Sequence, residues 1–144
     1  MCNGKVVCPL CDVDVLWWYR IGWVNAQVQQ DIGPWYWAEY STFSISDEAG
    51  DYRLTVAGYS GDAGDAMRGN TLANYNSNGK RFSTKDRDND GSPNNCAVGA
   101  GGGWWYDACS RSRLTQNPLA IWTTNSVIAD PAAAQTARML VKIN

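Results

Sequence analysis

The stretch YSTFSISDEAGDYRLTV, residues 40–56, decides how this chain is read. Thr42-Phe43-Ser44-Ile45 alternates polar and apolar side chains, and Tyr52-Arg53-Leu54-Thr55-Val56 does so again. A period of two sends one set of side chains into a core and the other to solvent, as a half-buried strand requires. Asp47, Glu48, Ala49 and Gly50 lie between the two runs and are turn residues. The pattern predicts an antiparallel hairpin.

Upstream, Val15 to Val24 (VLWWYRIGWV) is almost wholly apolar and predicts a buried strand. Gly33-Pro34 interrupts it, and the aromatic cluster Trp35 to Tyr40 (WYWAEY) is expected to form a helical turn. Downstream the texture changes from Gly58 to Gly103, where Gly, Asp, Asn and Ser dominate. Within it, Gly61 to Met67 (GDAGDAM) is expected to make one short helix capped by Asp62 and Asp65. Irregular stretches this long inside a compact domain are usually functional, or are held by a ligand or crosslink. Bulky aromatics return at Trp104-Trp105-Tyr106. Near the end, Asp130-Pro131-Ala132-Ala133-Ala134 predicts a helix start, with Asp130 as N-cap and Pro131 at the first helical position.

A chain of 144 residues is long enough to bury its own core as one domain. It contains no His, which excludes Ser-His-Asp triads, Cys-His pairs and imidazole metal ligands. Hydrolysis would then need paired carboxylates, so a non-enzymatic role is expected. The net charge of -2 offers no basic footprint for nucleic acid. No apolar run reaches the roughly 18 residues of a membrane span. Residues 1–15 hold no apolar core of a signal peptide, so a secreted product would be a mature form or a fragment. Of the 5 Cys, Cys96 and Cys109 could close a short loop. Cys2, Cys8 and Cys11 are compatible with structural disulfides, incidental free thiols, a redox CxxC pair or three of four zinc ligands.

Asp86-Arg87-Asp88-Asn89-Asp90-Gly91 is the most chemically pointed run. Carboxylates at alternate loop positions can turn to one side and enclose calcium, with backbone carbonyls completing six to eight oxygens. An EF-hand would need Glu at its twelfth position, which is Ala97, and helices on both flanks. The competing reading is a solvated acidic turn in which Asp caps its own backbone.

From Ala38 to Cys109 the chain resembles the fibrinogen C-terminal domain shared by fibrinogen chains, ficolins, tachylectins and angiopoietins. The resemblance is carried by residues 40–45, 51–56, Gly58-Tyr59-Ser60-Gly61-Asp62-Ala63-Gly64-Asp65, Phe82 to Asp90, Asn95-Cys96-Ala97 and Gly103-Trp104-Trp105-Tyr106-Asp107-Ala108-Cys109. It implies an α+β fold: a small antiparallel sheet, short helices and a long irregular calcium-binding loop region. One domain would span 1–144, with a divergent segment at 1–34, a recognisable core at 38–109 and a divergent segment at 110–144.

The resemblance further implies a disulfide between Cys96 and Cys109. It implies calcium on the side chains of Asp88 and Asp90 and the carbonyls of Ser92 and Asn94, with Asp86 a neighbour. Lectin members imply a glycan or acetylated ligand held near Trp104, Trp105, Tyr106, Ala108, Cys109 and Ser110. Those members carry His where this chain has Ser110, and an aromatic residue where it has Ala100. The competing reading of the three aromatics is core packing. Angiopoietin-like members imply a protein receptor instead. Either reading is extracellular and compatible with a homo-oligomer. Leu119-Ala120-Ile121-Trp122 and Val141-Lys142-Ile143 echo later family segments, the second as a closing strand.

Overall fold

The computed structural model describes residues 21–29, 33–68, 75–116, 120–123 and 136–143. Its centre is a four-stranded antiparallel sheet of β1 (Ile21–Gln29), β2 (Trp35–Ile45), β3 (Leu54–Gly61) and β6 (Thr136–Ile143). The strand order is β3-β2-β1-β6, so the last described strand returns to pair with the first. A helix α1 (Cys96–Ala100) and a two-stranded pair, β4 (Ser112–Arg113) with β5 (Ile121–Trp122), complete the described elements.

The hairpin forms as its alternation predicts, with Phe43 opposite Val56 and Ile45 opposite Leu54. Its turn is a 3-10 segment, Glu48–Gly50, capped by the Asp47 carboxylate, which accepts from the Gly50 amide at 3.1 Å. Asp51 and Tyr52 then adopt left-handed backbone to reverse the chain. Gly58 sits at φ 68 across from Ser41, and a Cβ there would collide with the serine hydroxyl. The inward set on β2 steps from Tyr40 to Phe43, three residues rather than two, while the pairing register continues from Tyr40↔Tyr59 to Thr42↔Ala57.

Residues 35–40 correct the expected helical turn. They are strand, paired to β1 through Gln29↔Trp35, Gln27↔Trp37 and Asn25↔Glu39. Ala38 and Tyr40 are buried while Trp37 is exposed, which is a period of two hidden by an almost uniformly aromatic composition. Pairing on both sides outweighed the local reading. The expected strand at 15–24 is found where it is described, from Ile21 onward; the earlier part lies outside the described residues. So does the helix expected at Asp130. The closing strand at 141–143 is present and begins at Thr136.

The expected helix at 61–67 is also corrected. This stretch is a loop pinned to the sheet by side chains. The Tyr40 hydroxyl donates to Asp65 at 2.8 Å and accepts from the Met67 amide at 3.3 Å. The Tyr59 hydroxyl accepts from the Gly64 amide at 2.8 Å. Asp62 accepts from the Trp37 amide at 2.8 Å, and Asp65 from the Arg68 amide at 3.0 Å. Both acids satisfy backbone donors, Asp62 across to the sheet and Asp65 within its own turn, which does not continue into a helix.

The core lies on one face of the sheet. Val24, Ala26, Val28, Tyr40, Phe43 and Leu54 supply its floor, and the loop region supplies its lid through Met67, Ala97, Trp104, Tyr106 and Trp122. Trp105 joins the halves edge-on, with ring centroids 6.2 Å from Phe43, 5.1 Å from Phe82 and 5.3 Å from Trp104. Each such ring contributes about 1.5–3 kcal/mol by burial alone, so an irregular backbone is held by its side chains.

Candidate calcium loop and the disulfide that frames it

Residues 83–96 leave the core at a two-way backbone bridge. Ser83 and Trp104 exchange hydrogen bonds of 3.0 and 3.1 Å. Asn89 then folds back, its amide donating to Ser83 Oγ at 3.0 Å and its side chain to the Phe82 carbonyl at 2.8 Å. Arg87 pairs with Asp51 in the hairpin turn, tying loop to sheet. Asp86 is fully turned onto its own bend. It accepts from Thr84 Oγ1 at 2.7 Å, and that bond lowers its carboxyl below the usual range.

Beyond this point a repeated geometry begins. Asp88 Oδ1 accepts from the amide of Asp90 at 3.2 Å, Asp90 Oδ1 from that of Ser92 at 2.8 Å, and Ser92 Oγ from that of Asn94 at 3.3 Å. Three consecutive even-numbered side chains thus each cap the amide two residues ahead, the behaviour expected of Asp and Ser in turns. Asp90 does more. Its second oxygen, Oδ2, accepts from the Cys96 amide at 2.9 Å, so one carboxylate spans the loop to the first turn of α1. Asn95 caps that helix, accepting from Ala97 and Val98, and donates to the Thr84 carbonyl at 3.0 Å.

A second strut comes from the far half of the loop region. The Gly91 amide donates to the Asp107 carbonyl at 2.7 Å, and the Asp107 amide to the Cys109 carbonyl at 2.8 Å. Lys80 pairs with the Asp107 carboxylate at 2.7 Å. Cys96 and Cys109 form the disulfide that the resemblance implies, with Cα atoms 5.3 Å apart. Cys109 holds φ 76, a left-handed conformation uncommon outside glycine. The acidic loop is therefore anchored beside both half-cystines, through Asp90 to Cys96 and through Gly91 to the segment ending at Cys109.

The donor chemistry fits a hard cation. Asp88 and Asp90 bring carboxylate oxygens, and the expected partners, the carbonyls of Ser92 and Asn94, are oxygen donors too. Asp88 Oδ2 carries no hydrogen bond among the described residues, and each bonded carboxylate oxygen keeps a lone pair. Among the described residues no three acidic or cysteine side chains converge into a metal cage. The expected set is of another kind, with two carboxylates and two carbonyls.

Residues 22–126 match the family described as the C-terminal globular domain of fibrinogen beta and gamma chains. The chain belongs to the fibrinogen C-terminal domain family. It is 46% identical over 77 residues to angiopoietin-related protein 6 of Mus musculus, covering 54% of this chain and 15% of that protein. It is 40% identical over 119 residues to protein scabrous of Drosophila melanogaster, covering 81% and 14% respectively. The fibrinogen-like globe domain of human ANGPTL2 superposes with a TM-score of 0.70 at 27% identity, over 83% of this chain and 57% of that domain. The chain thus spans a small share of these relatives and little more than half of the solved domain.

Within this fibrinogen C-terminal domain, the ligand set expected from the lectin members is placed inward. Trp104, Trp105 and Tyr106 are buried, and so is Ser110; Ala108 and Cys109 are half-buried. Trp105 Nε1 donates to the Tyr52 carbonyl at 2.7 Å and the Tyr106 hydroxyl to the Gly102 carbonyl at 2.7 Å. Ser110 Oγ is 2.9 Å from Ser77 Oγ and 2.9 Å from the Ser112 carbonyl. Burial pushes the Tyr106 phenol up to about 12, the Arg113 charge partly offsets this, and Asp90 adds to it. The residues that sequence reasoning passed over are Asp107, as a carbonyl strut, and Asn89, as the hinge of the loop. The first acts through its main chain, which side-chain identity does not encode. The second is an Asn between two Asp, a weak turn signal.

Proposed function

We propose that this chain forms an extracellular, non-enzymatic recognition module whose loop at 88–94 is held by calcium. The observation that carries the reading is Asp90, whose two oxygens join the acidic loop to the disulfide-bonded turn. Asp88 and Asp90 would hold the ion, with the carbonyls of Ser92 and Asn94. When bound, calcium supplies positive charge that offsets the repulsion between two carboxylates crowded into one turn. The protein's own part is to aim those oxygens, through the serial turns and the struts to Cys96 and Asp107.

Membership in the fibrinogen-related family and the likeness to angiopoietin-related protein 6 support an extracellular binding role. Among the described residues no helix is long and apolar enough to cross a membrane. The inward placement of Trp104, Trp105, Tyr106 and Ser110 favours recognition by exposed faces over an acetyl-binding pocket walled by those residues. The test is unfolding in millimolar calcium and in excess chelator. A rise in midpoint with metal is expected, because a ligand bound only by the folded state stabilises it. Identical midpoints would overturn the calcium assignment.

A further inference from the structure

We propose that the turn at Arg113 is a subsite for a single carboxylate of a peptide or protein partner, with the Arg113 guanidinium as its counter-charge; this rests on the recognition-module reading and names a group that the module would recognise. The turn grows out of β4. Ser110 and Ser112 point inward, at 6% and 0% exposure, and are tied together through Ser110 Oγ. A period of two then sends Arg111 and Arg113 to the other side, where both are half-buried. Arg113 is opposite Ile121 of β5, and its carbonyl accepts from the Gln116 amide at 3.3 Å, which closes a four-residue turn.

Two polar atoms of this turn have no partner. Arg113 Nε is shut off from water and makes no hydrogen bond, and Gln116 Oε1 is in the same position. The guanidinium enters no ion pair either; among the described residues those are Lys80 with Asp107, and Arg81 and Arg87 with Asp51. Arg53, Arg111 and Arg138 are engaged, on the Gly79 carbonyl, over the Tyr75 ring and over the Trp35 ring. An Arg drawn this far out of water usually brings a partner, because a desolvated lone charge is a net cost. Burial accordingly pulls the Arg113 guanidinium below its ordinary range, and Tyr106 is the group that offsets this. A charge kept at a cost in the free fold is compensated when a ligand brings the opposite one.

Shape and charge select the ligand. A planar guanidinium takes a carboxylate through two parallel N–H···O bonds. The carboxylate meets the half-exposed tip first, and a turn of the side chain that brings Nε to it removes the buried orphan. Gln116 is relieved in the same event when its amide rotates to offer nitrogen to the anion. One positive charge balances a monoanion. Asp90 acts on the adjoining Tyr106, so a second negative charge on the ligand would meet repulsion, which disfavours phosphate and sulfate dianions. A neutral acetyl or amide carbonyl leaves the guanidinium uncompensated.

The test is a titration of the intact chain, in calcium, following the NMR signal of Arg113 Nε–H, assigned by its absence in Arg113→Met. Acetate is expected to move that signal saturably, whereas acetamide, or chloride at equal ionic strength, leaves it in place. Two otherwise uncharged peptides, one with its carboxylate at the C-terminus and one on a Glu side chain, then identify the source by which binds tighter. Arg113→Met is expected to weaken the tighter peptide about tenfold or more, and Arg113→Lys severalfold, because Lys keeps the charge without the fork. Without anion, Arg113→Met is expected to melt at or above the parent, since it removes a desolvated charge. A variant that melts clearly below the parent overturns the subsite, because the guanidinium then already has its partner in the fold. Acetamide binding as well as acetate, or a preference for inorganic phosphate, overturns it too. If neither acetate nor either peptide moves the signal in a chain that still shows the calcium shift, the subsite fails and the module reading stands.

Discussion

Replacing Asp90 with Ala separates the two jobs assigned to that carboxylate. Without metal, Asp90 accepts from two amides, Ser92 at 2.8 Å and Cys96 at 2.9 Å. A hydrogen bond to a charged group contributes about 1.5–3 kcal/mol, and partial exposure brings the pair to about 2–3 kcal/mol in total. In a domain of this size that is a fall in Tm of about 10 °C in chelator. Asp88 makes a single 3.2 Å contact at an exposed position, so Asp88→Ala is expected to cost under about 1 kcal/mol in the same buffer. With calcium at about 100 times its dissociation constant, the parent gains about 2.7 kcal/mol. Both variants are expected to lose most of that gain, since each removes a carboxylate ligand. The assay is urea unfolding followed by tryptophan emission, with each protein measured in calcium and in chelator. Equal costs for the two variants in chelator would refute the bridging role of Asp90. A parental calcium increment in both would refute the ligand assignment.

Three further outcomes follow from other parts of the structure. Cys96→Ser with Cys109→Ser opens a loop of sequence separation 13, for which the chain-entropy model gives about 3 kcal/mol, read as a loss of unfolding free energy in urea. Tyr106, raised to about 12, and Tyr40, raised more strongly by burial and Asp65, stay protonated in the fold where the unfolded chain has begun to ionise. The unfolded state then binds fewer protons, so this contribution is intact below about pH 10 and declines as pH rises toward about 12; Tyr106→Phe should flatten that alkaline decline, which an unchanged slope would contradict. Gly61 holds φ 133, and a Cβ added there would sit 2.2 Å from the Trp37 carbonyl oxygen, whereas a Cβ on Gly79, at φ 77, would meet open space. Gly79→Ala is expected to cost about 1 kcal/mol and Gly61→Ala clearly more, because backbone cannot step aside.

Local pattern was enough for the hairpin. Alternation at 42–45 and 52–56 names the buried side chains, and Asp47 with Gly50 names the turn, because a strand's period and a cap's chemistry are properties of neighbouring residues. The acidic run was equally legible as a set of alternating oxygens, and Asp86 was separated from Asp88 and Asp90 only through the family likeness. Its support was not legible. Asp90 reaches Cys96 across the loop, and Gly91 meets a carbonyl contributed by Asp107; main-chain acceptors are the same in every residue and leave no mark in the sequence.

The two misread segments share one cause. WYWAEY at 35–40 is nearly all aromatic, so its period is invisible until β1 and β3 pair on either side and force alternate side chains to opposite faces. GDAGDAM at 61–67 has helix-like caps, yet Tyr40 and Tyr59, brought over by the sheet, take the donors and acceptors a helix would have used for itself. Sequence by itself determined the family, the hairpin and the oxygen-rich loop, since each is written in residues close together along the chain. Tertiary structure alone decided that Trp104, Trp105 and Tyr106 face the core while Trp37 faces solvent. Which side of a sheet is buried depends on what packs against it, and here that is a loop region dozens of residues away.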